Sequence, residues 1–215
     1  MTPSHPAIVF DLDGTLVDSL PDIIASFQYA FTRLGLRVPS DAEVRVLIGH
    51  PLEAMYAHFA PEHVAALSTL YREHYPLNFT TRSRPYPGVV ETLGLLRERG
   101  YRLAIATTKR TDMARRFVEA LGLASALDHV QGTDGFPHKP APDVIHRALA
   151  ALGAQGLWMV GDTVHDIQAG KAAGLRTYAV TWGTHDAALL ATAAPDVLHA
   201  DLSRLLAHLP APRQG

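Results

Sequence analysis

The sequence contains no cysteine, which excludes disulfide frameworks, thiolate nucleophiles and cysteine-based zinc or iron–sulfur centres. It has no apolar run near the roughly 18 residues that a membrane-spanning helix takes. Only 7 residues precede the first apolar stretch, too few for a signal peptide with its own cleavage site, so cytoplasmic residence is the expectation. Lysine is scarce: of 19 cationic residues, Lys109, Lys139 and Lys171 alone are lysines, and residues 1–108 hold none. Chemistry that needs a side-chain amine therefore has three candidates. An excess of either charge is also missing, because the 19 Lys and Arg face 21 Asp and Glu for a formal charge of −2. With no basic stripe, nucleic acid is not expected as a partner.

What is present fits a folded protein of 215 residues, 47% of them hydrophobic, with room for one domain or for one domain carrying an insertion. Short β-branched or apolar runs at 8–10, 103–107, 129–131, 157–160, 177–180 and 197–198 alternate with helix-period segments, a pattern of parallel α/β structure. Gly100, Gly122, Gly153 and Gly174 stand where helices would stop. Between Ser19 and Arg84 the rhythm breaks. Only helix-period segments appear there, at 21–34, 41–47 behind a Ser40/Glu43 capping box, 52–59 and 62–75. This reads as a helical insertion after the first strand, entered and left through linkers at 15–19 and 82–88.

Asp11 and Asp13 fall two residues apart where the first strand stops and Gly14 permits a turn. A turn alone would use such residues, but Asp-x-Asp-Gly-Thr arises by chance in about one chain of this length in 500. In an open parallel sheet the carboxyl ends of the strands face the ligand crevice. Thr107-Thr108-Lys109 lies at the end of a later strand and offers either an N-cap or a hydroxyl and N–H groups to an anion. Lys139, between His138 and Pro140, is either a solvated cation or an ammonium held by restricted backbone. Asp162 and Asp166, four apart at a helix start, suit a cap and a first-turn charge or oxygen ligands to Mg²⁺. All of these elements fall on one edge of the sheet.

Asp11-Leu12-Asp13-Gly14-Thr15, Thr107, Lys139-Pro140 and Gly161-Asp162 with Asp166 resemble, in order, the four motifs of the haloacid dehalogenase superfamily. The resemblance covers almost the whole chain. Tyr86-Pro87-Gly88, Ile48-Gly49-His50-Pro51-Leu52 and Thr181-Trp182-Gly183 are similar to the phosphoglycolate phosphatase group within it. The resemblance implies an α/β fold with a three-layer Rossmann-like core, residues 1–18 and 85–215, and an inserted helical cap, residues 19–84. It further implies hydrolysis of a small phosphorylated metabolite, with Asp11 attacking phosphorus to form an aspartyl-phosphate and Asp13 acting as general acid, then base. Mg²⁺ would be held by Asp11, the Asp13 backbone carbonyl and Asp162, with Asp166 behind them. Thr107, Thr108 and Lys139 would hold the phosphoryl oxygens.

Within that resemblance, Asp13 and Asp162 argue against dehalogenase activity, which does without the second acid and the metal. The lysine-free first 108 residues exclude a Schiff base in the cap. Pyrophosphatase, nucleotidase and β-phosphoglucomutase-like activities stay open. A binding module on the same fold would be expected to lack a nucleophile or an acid, and neither is missing. Arg45 and His50 are the cap residues with the chemistry to select a substrate, set against a solvated helix face for the first and a plain turn for the second. His165 is expected to point outward from its helix, since Mg²⁺ prefers the neighbouring carboxylates. His58, His63 and His74 lack the spacing of a helical zinc pair and are expected at the surface or in the cap.

Overall fold

The computed structural model describes residues 6–210. In chain order the elements are β1 (Pro6–Phe10), β2 (Val17–Asp18), α1 (Leu20–Arg33), α2 (Asp41–Arg45), α3 (Leu52–Phe59), α4 (Val64–Asn78), β3 (Arg84–Pro85), α5 (Val89–Glu98), β4 (Arg102–Ala106), α6 (Thr111–Ala120), β5 (His129–Gln131), α7 (Asp143–Leu152), β6 (Gln155–Gly161), α8 (Val164–Ala172), β7 (Arg176–Val180), α9 (Ala187–Thr192) and β8 (Val197–His199). Residues 7–10 of β1 are all fully buried, so this strand needs a neighbour on each edge and a layer on each face. Both requirements are met: β1 pairs in parallel with β4 and with β6. The six-stranded sheet runs β5-β4-β1-β6-β7-β8, and every pair in it is parallel.

Alternation along the strands divides the core in two. Ile8, Phe10, Ile105, Val160 and Tyr178 join one cluster, while Val9, Ala106 and Met159 meet Val144 and Ile145 of α7 in the other. The architecture is the parallel α/β sheet that the alternation of segments predicts, in the three-layer form that the resemblance implies. All four glycines expected at helix ends have positive φ. The chain builds β4 and β5 to one side of β1 and then returns to lay β6, β7 and β8 on the other, so strand order reverses at β1 and a crevice opens at its carboxyl end. Among the described residues no helix is long and apolar enough to cross a membrane.

Residues 20–78 form helices α1 to α4 with an aromatic core of their own, in which Phe27 stacks on Tyr56 at 4.2 Å and Phe31 tilts against the same ring at 5.7 Å. The Ser40/Glu43 capping box is formed, and α4 runs on to Asn78 with Pro76 inside it. The crossings between this unit and the sheet differ from the open linkers read in the sequence. Val17 and Asp18 pair antiparallel with Pro85 and Arg84, tying entry to exit. Asp22, buried in the first turn of α1, accepts from the main-chain N–H groups of Arg82 and Ser83 and from the Ser83 hydroxyl.

Candidate active site

Asp11 leaves the end of β1 with its N–H still donating to Val160 O at 2.8 Å, so the sheet fixes its backbone. Its carboxylate meets Lys139, whose Nζ donates to Asp11 Oδ1 at 2.5 Å, to Asp166 Oδ1 at 2.5 Å and to the carbonyl of Ala106 at 3.0 Å. All three donors of that ammonium are engaged. Asp162 accepts from the Thr15 hydroxyl at 2.6 Å and from the Thr184 N–H at 2.7 Å. A Cβ on Gly14 or on Gly183 would lie 2.3 Å from Asp162 Oδ2, so two loops close on this carboxylate only because both positions are glycine. Thr181-Trp182-Gly183 is held in place by the Trp182 indole, which donates to Thr15 O at 3.2 Å.

Asp11, Asp162 and Asp166 are buried, and each places one carboxylate oxygen within 4.8 Å of the others. Burial pushes the Asp11 carboxyl well above the usual carboxylate range; Asp166 and Asp162 push the same way, against the pull of Lys139. The Asp162 carboxyl is raised to about 6 by burial and by Asp166. Burial works to lower the Lys139 pKa, but Asp11 and Asp166 outweigh it and hold the ammonium above its ordinary value. Asp11 and Asp166 therefore share one buried ammonium while Asp162 meets only neutral donors, and a hard divalent ion taking oxygen ligands relieves the excess of negative charge. The donor set fits such an ion.

The two readings of the Asp162/Asp166 pair resolve unevenly. The N-cap of α8 is Thr163, not Asp162, and Asp166 closes a capping box by accepting from the Thr163 N–H and hydroxyl at 2.9 and 2.6 Å. Its other oxygen lies on Lys139. Thr107 is buried at the end of β4, and its hydroxyl accepts from the Lys109 N–H at 3.3 Å. The Thr pair does not cap α6, whose N-cap is Arg110.

These groups sit in a cavity of about 570 Å³ that Asp11, Asp13, Thr107, Thr108, Lys139 and Asp166 line. From the helical unit, His50, Tyr75 and Arg72 reach the same cavity. Arg45 does not. Val44 is the buried residue of α2, and Arg45 beside it is exposed, on the solvated helix face that stood as its alternative. His165 also departs from expectation. Instead of pointing outward it lines the cavity, its ring edge-on to His50 at 5.0 Å. His165 Nδ1, His138 Nδ1 and Thr184 Oγ1, all on cavity-lining residues, are buried polar atoms without a protein partner, as expected where a polar ligand completes the bonding.

One contact in the site has no counterpart in the sequence reading. Lys109 Nζ lies 3.0 Å from Asp13 Oδ2 and donates to Tyr75 Oη at 2.8 Å. The remaining Asp13 oxygen accepts from the Ser19 hydroxyl at 2.6 Å. Only the rarity of lysine and its place beside Thr107 marked this residue in advance.

A family model described as haloacid dehalogenase-like hydrolase matches residues 8–180. A phosphoglycolate phosphatase of Mesorhizobium japonicum is 37% identical over 195 residues, covering 85% of this chain and 86% of that protein. The pyrophosphatase PpaX of Halalkalibacterium halodurans is 36% identical over 176 residues, covering 80% and 82%. A solved haloacid dehalogenase-like family hydrolase from Streptococcus pneumoniae superposes with a TM-score of 0.87 at 31% identity, covering 97% of this chain and 99% of that one.

Proposed function

The chain belongs to the haloacid dehalogenase-like hydrolases and is a phosphatase, and from this premise we propose that it hydrolyses small phosphate monoesters with Mg²⁺, phosphoglycolate first among them. The observation that carries the reading is the buried Asp11 carboxylate, 2.5 Å from Lys139 and grouped with Asp162 and Asp166 at the strand ends under a cavity. Asp11, Asp162 and the Asp13 carbonyl would hold Mg²⁺, with Asp166 behind them, and the ion would neutralise charge on the transferring phosphoryl group.

In the first step an Asp11 oxygen attacks phosphorus, the ester P–O bond breaks, and its electron pair leaves on the ester oxygen, which takes a proton from Asp13. In the second, Asp13 takes a proton from water as the water oxygen bonds to phosphorus. The P–O bond to Asp11 then breaks, releasing inorganic phosphate and restoring the carboxylate. Thr107 and Thr108 offer hydroxyl or N–H donors to the equatorial oxygens, and the Lys139 ammonium would exchange one of its three protein contacts for a phosphoryl oxygen, adding positive charge where charge accumulates. Residues 1–18 and 85–215 form the catalytic core in this reading, and residues 19–84 a cap that excludes water during transfer. A cytoplasmic metabolite is the expected substrate.

Phosphoglycolate is favoured by the Mesorhizobium relative, and His50, His165 and Arg72 around the cavity have the chemistry to meet its carboxylate. Pyrophosphate is the second reading, carried by the Halalkalibacterium relative. A kinetic screen with Mg²⁺ over phosphoglycolate, pyrophosphate, nucleotides and sugar phosphates separates the two. Asp11→Asn is expected to abolish turnover of every substrate while the folded spectrum is kept; a variant that still turns over at the parent rate overturns the nucleophile.

A further inference from the structure

Asp13 is the group whose placement decides whether a poor leaving group can depart, and the structure holds it from two sides by elements other than its own. Ser19, at the entry to α1, donates to Oδ1, and Lys109, just after β4, faces Oδ2 at 3.0 Å. Lys109 starts from fixed backbone. Its carbonyl accepts from the Thr133 N–H at 3.0 Å, and its own N–H donates to the Thr107 hydroxyl. Its ammonium is equally constrained, 4.6 Å from the centre of the Tyr75 ring and 4.9 Å from that of Phe117, with the lysine side chain only 10% exposed. The second anchor, Tyr75, belongs to α4 of the helical unit, is 3% exposed and stacks on Tyr71 at 5.1 Å.

We infer that Lys109 is a positioning residue for Asp13: held between the Asp13 carboxylate and the Tyr75 hydroxyl, it fixes where the Asp13 carboxyl stands and makes that placement depend on α4. The chain Asp13–Lys109–Tyr75 is a polar bridge from the sheet to the helical unit. A shift of α4 away from the sheet takes the Tyr75 hydroxyl from the Lys109 ammonium and loosens the hold of Lys109 on the Asp13 carboxyl. The inference rests on the reading of Asp13 as proton donor to the leaving oxygen.

The test compares two aryl esters that share a phosphoryl group and differ in how much they need that proton. p-Nitrophenyl phosphate expels p-nitrophenolate, a stabilised anion, whereas the more basic phenolate of phenyl phosphate needs a proton from the acid to leave. Lys109→Met is expected to lower kcat for phenyl phosphate about 30-fold and for p-nitrophenyl phosphate about threefold, with KM for both within about twofold. Tyr75→Phe, which removes one hydroxyl from a buried ring, is expected to skew the ratio in the same direction by about threefold. Lys109→Arg, which restores the cation, is expected to recover most of the ratio. Equal losses on both esters, or a loss confined to KM, overturn the inference, because a residue that supports the fold or binds the phosphoryl group does not discriminate leaving groups. Asp13→Asn separates the two levels of the argument. If it is steeply leaving-group dependent while Lys109→Met is not, the positioning role alone fails; if it loses both esters equally, the acid assignment fails and the inference with it.

Discussion

Asp166 has two oxygens, and both are taken within the protein, one by Lys139 and the other by the start of its own helix. Asp162 is held just as fully, and its surroundings leave no space for an added methyl group. The φ at Gly183 is not in the left-handed region, so alanine there is opposed by contact with Asp162 rather than by backbone strain. Gly183→Ala is expected to lower activity about 10- to 100-fold and to raise the half-saturating Mg²⁺, read from metal-dependent kinetics. At this scale the sequence marks Asp11, Asp13, Thr107 and Asp162 through their places after strands, because the end of a parallel strand is a defined position, and Lys139, in the loop between β5 and α7, through its rarity and its proline neighbour. Lys109 is not marked in the same way. Its role comes from a tyrosine 34 residues earlier, and no local spacing encodes a contact between a loop and a distant helix. Arg45 is exposed, the solvated face that stood as its alternative, since a cation near a promising turn says nothing of which side of a short helix it occupies.

The two-residue strands β2 and β3 are too short to carry a period, which is why the crossings read as linkers. Asp22 braces the chain beside them, accepting from Arg82 and Ser83 just before β3. Burial opposes ionisation of that carboxyl, but its hydrogen bonds with Arg82 and Ser83 outweigh burial and hold it below the usual carboxylate range. A depressed folded-state pKa adds stability that is present above the ordinary aspartate value and is lost as pH falls through the folded one. Asp22→Ala leaves buried N–H donors unpaired and is expected to cost about 2 kcal/mol at neutral pH, measured by urea unfolding. The difference between parent and variant should shrink as pH is lowered below 4. Long amphipathic helices and buried strands are legible from their periods, whereas this clasp is tertiary and has none.

For the whole molecule, the sheet order β5-β4-β1-β6-β7-β8 places the reacting groups of distant segments along one edge, while the helical unit meets the sheet at His50 with His165 and at Tyr75 with Lys109. If residues 19–84 close over a bound phosphoryl group, trypsin cleavage after the exposed Arg82 should slow at least about threefold with Mg²⁺ and orthovanadate. An unchanged cleavage rate would count against closure. The alternation of segments makes the α/β class and the helical insertion readable, since each follows from composition and period along the chain. The central place of β1 also bears on biosynthesis. Asp11 is translated 128 residues ahead of Lys139, and β1 is made before the two strands that flank it. At about 5–20 residues per second a nascent chain carries Asp11 for roughly 6–25 s before that ammonium exists. No amino-terminal fragment that stops short of β6 holds Asp11 together with Asp162 and Asp166, so the buried acidic cluster forms only after most of the chain has been made.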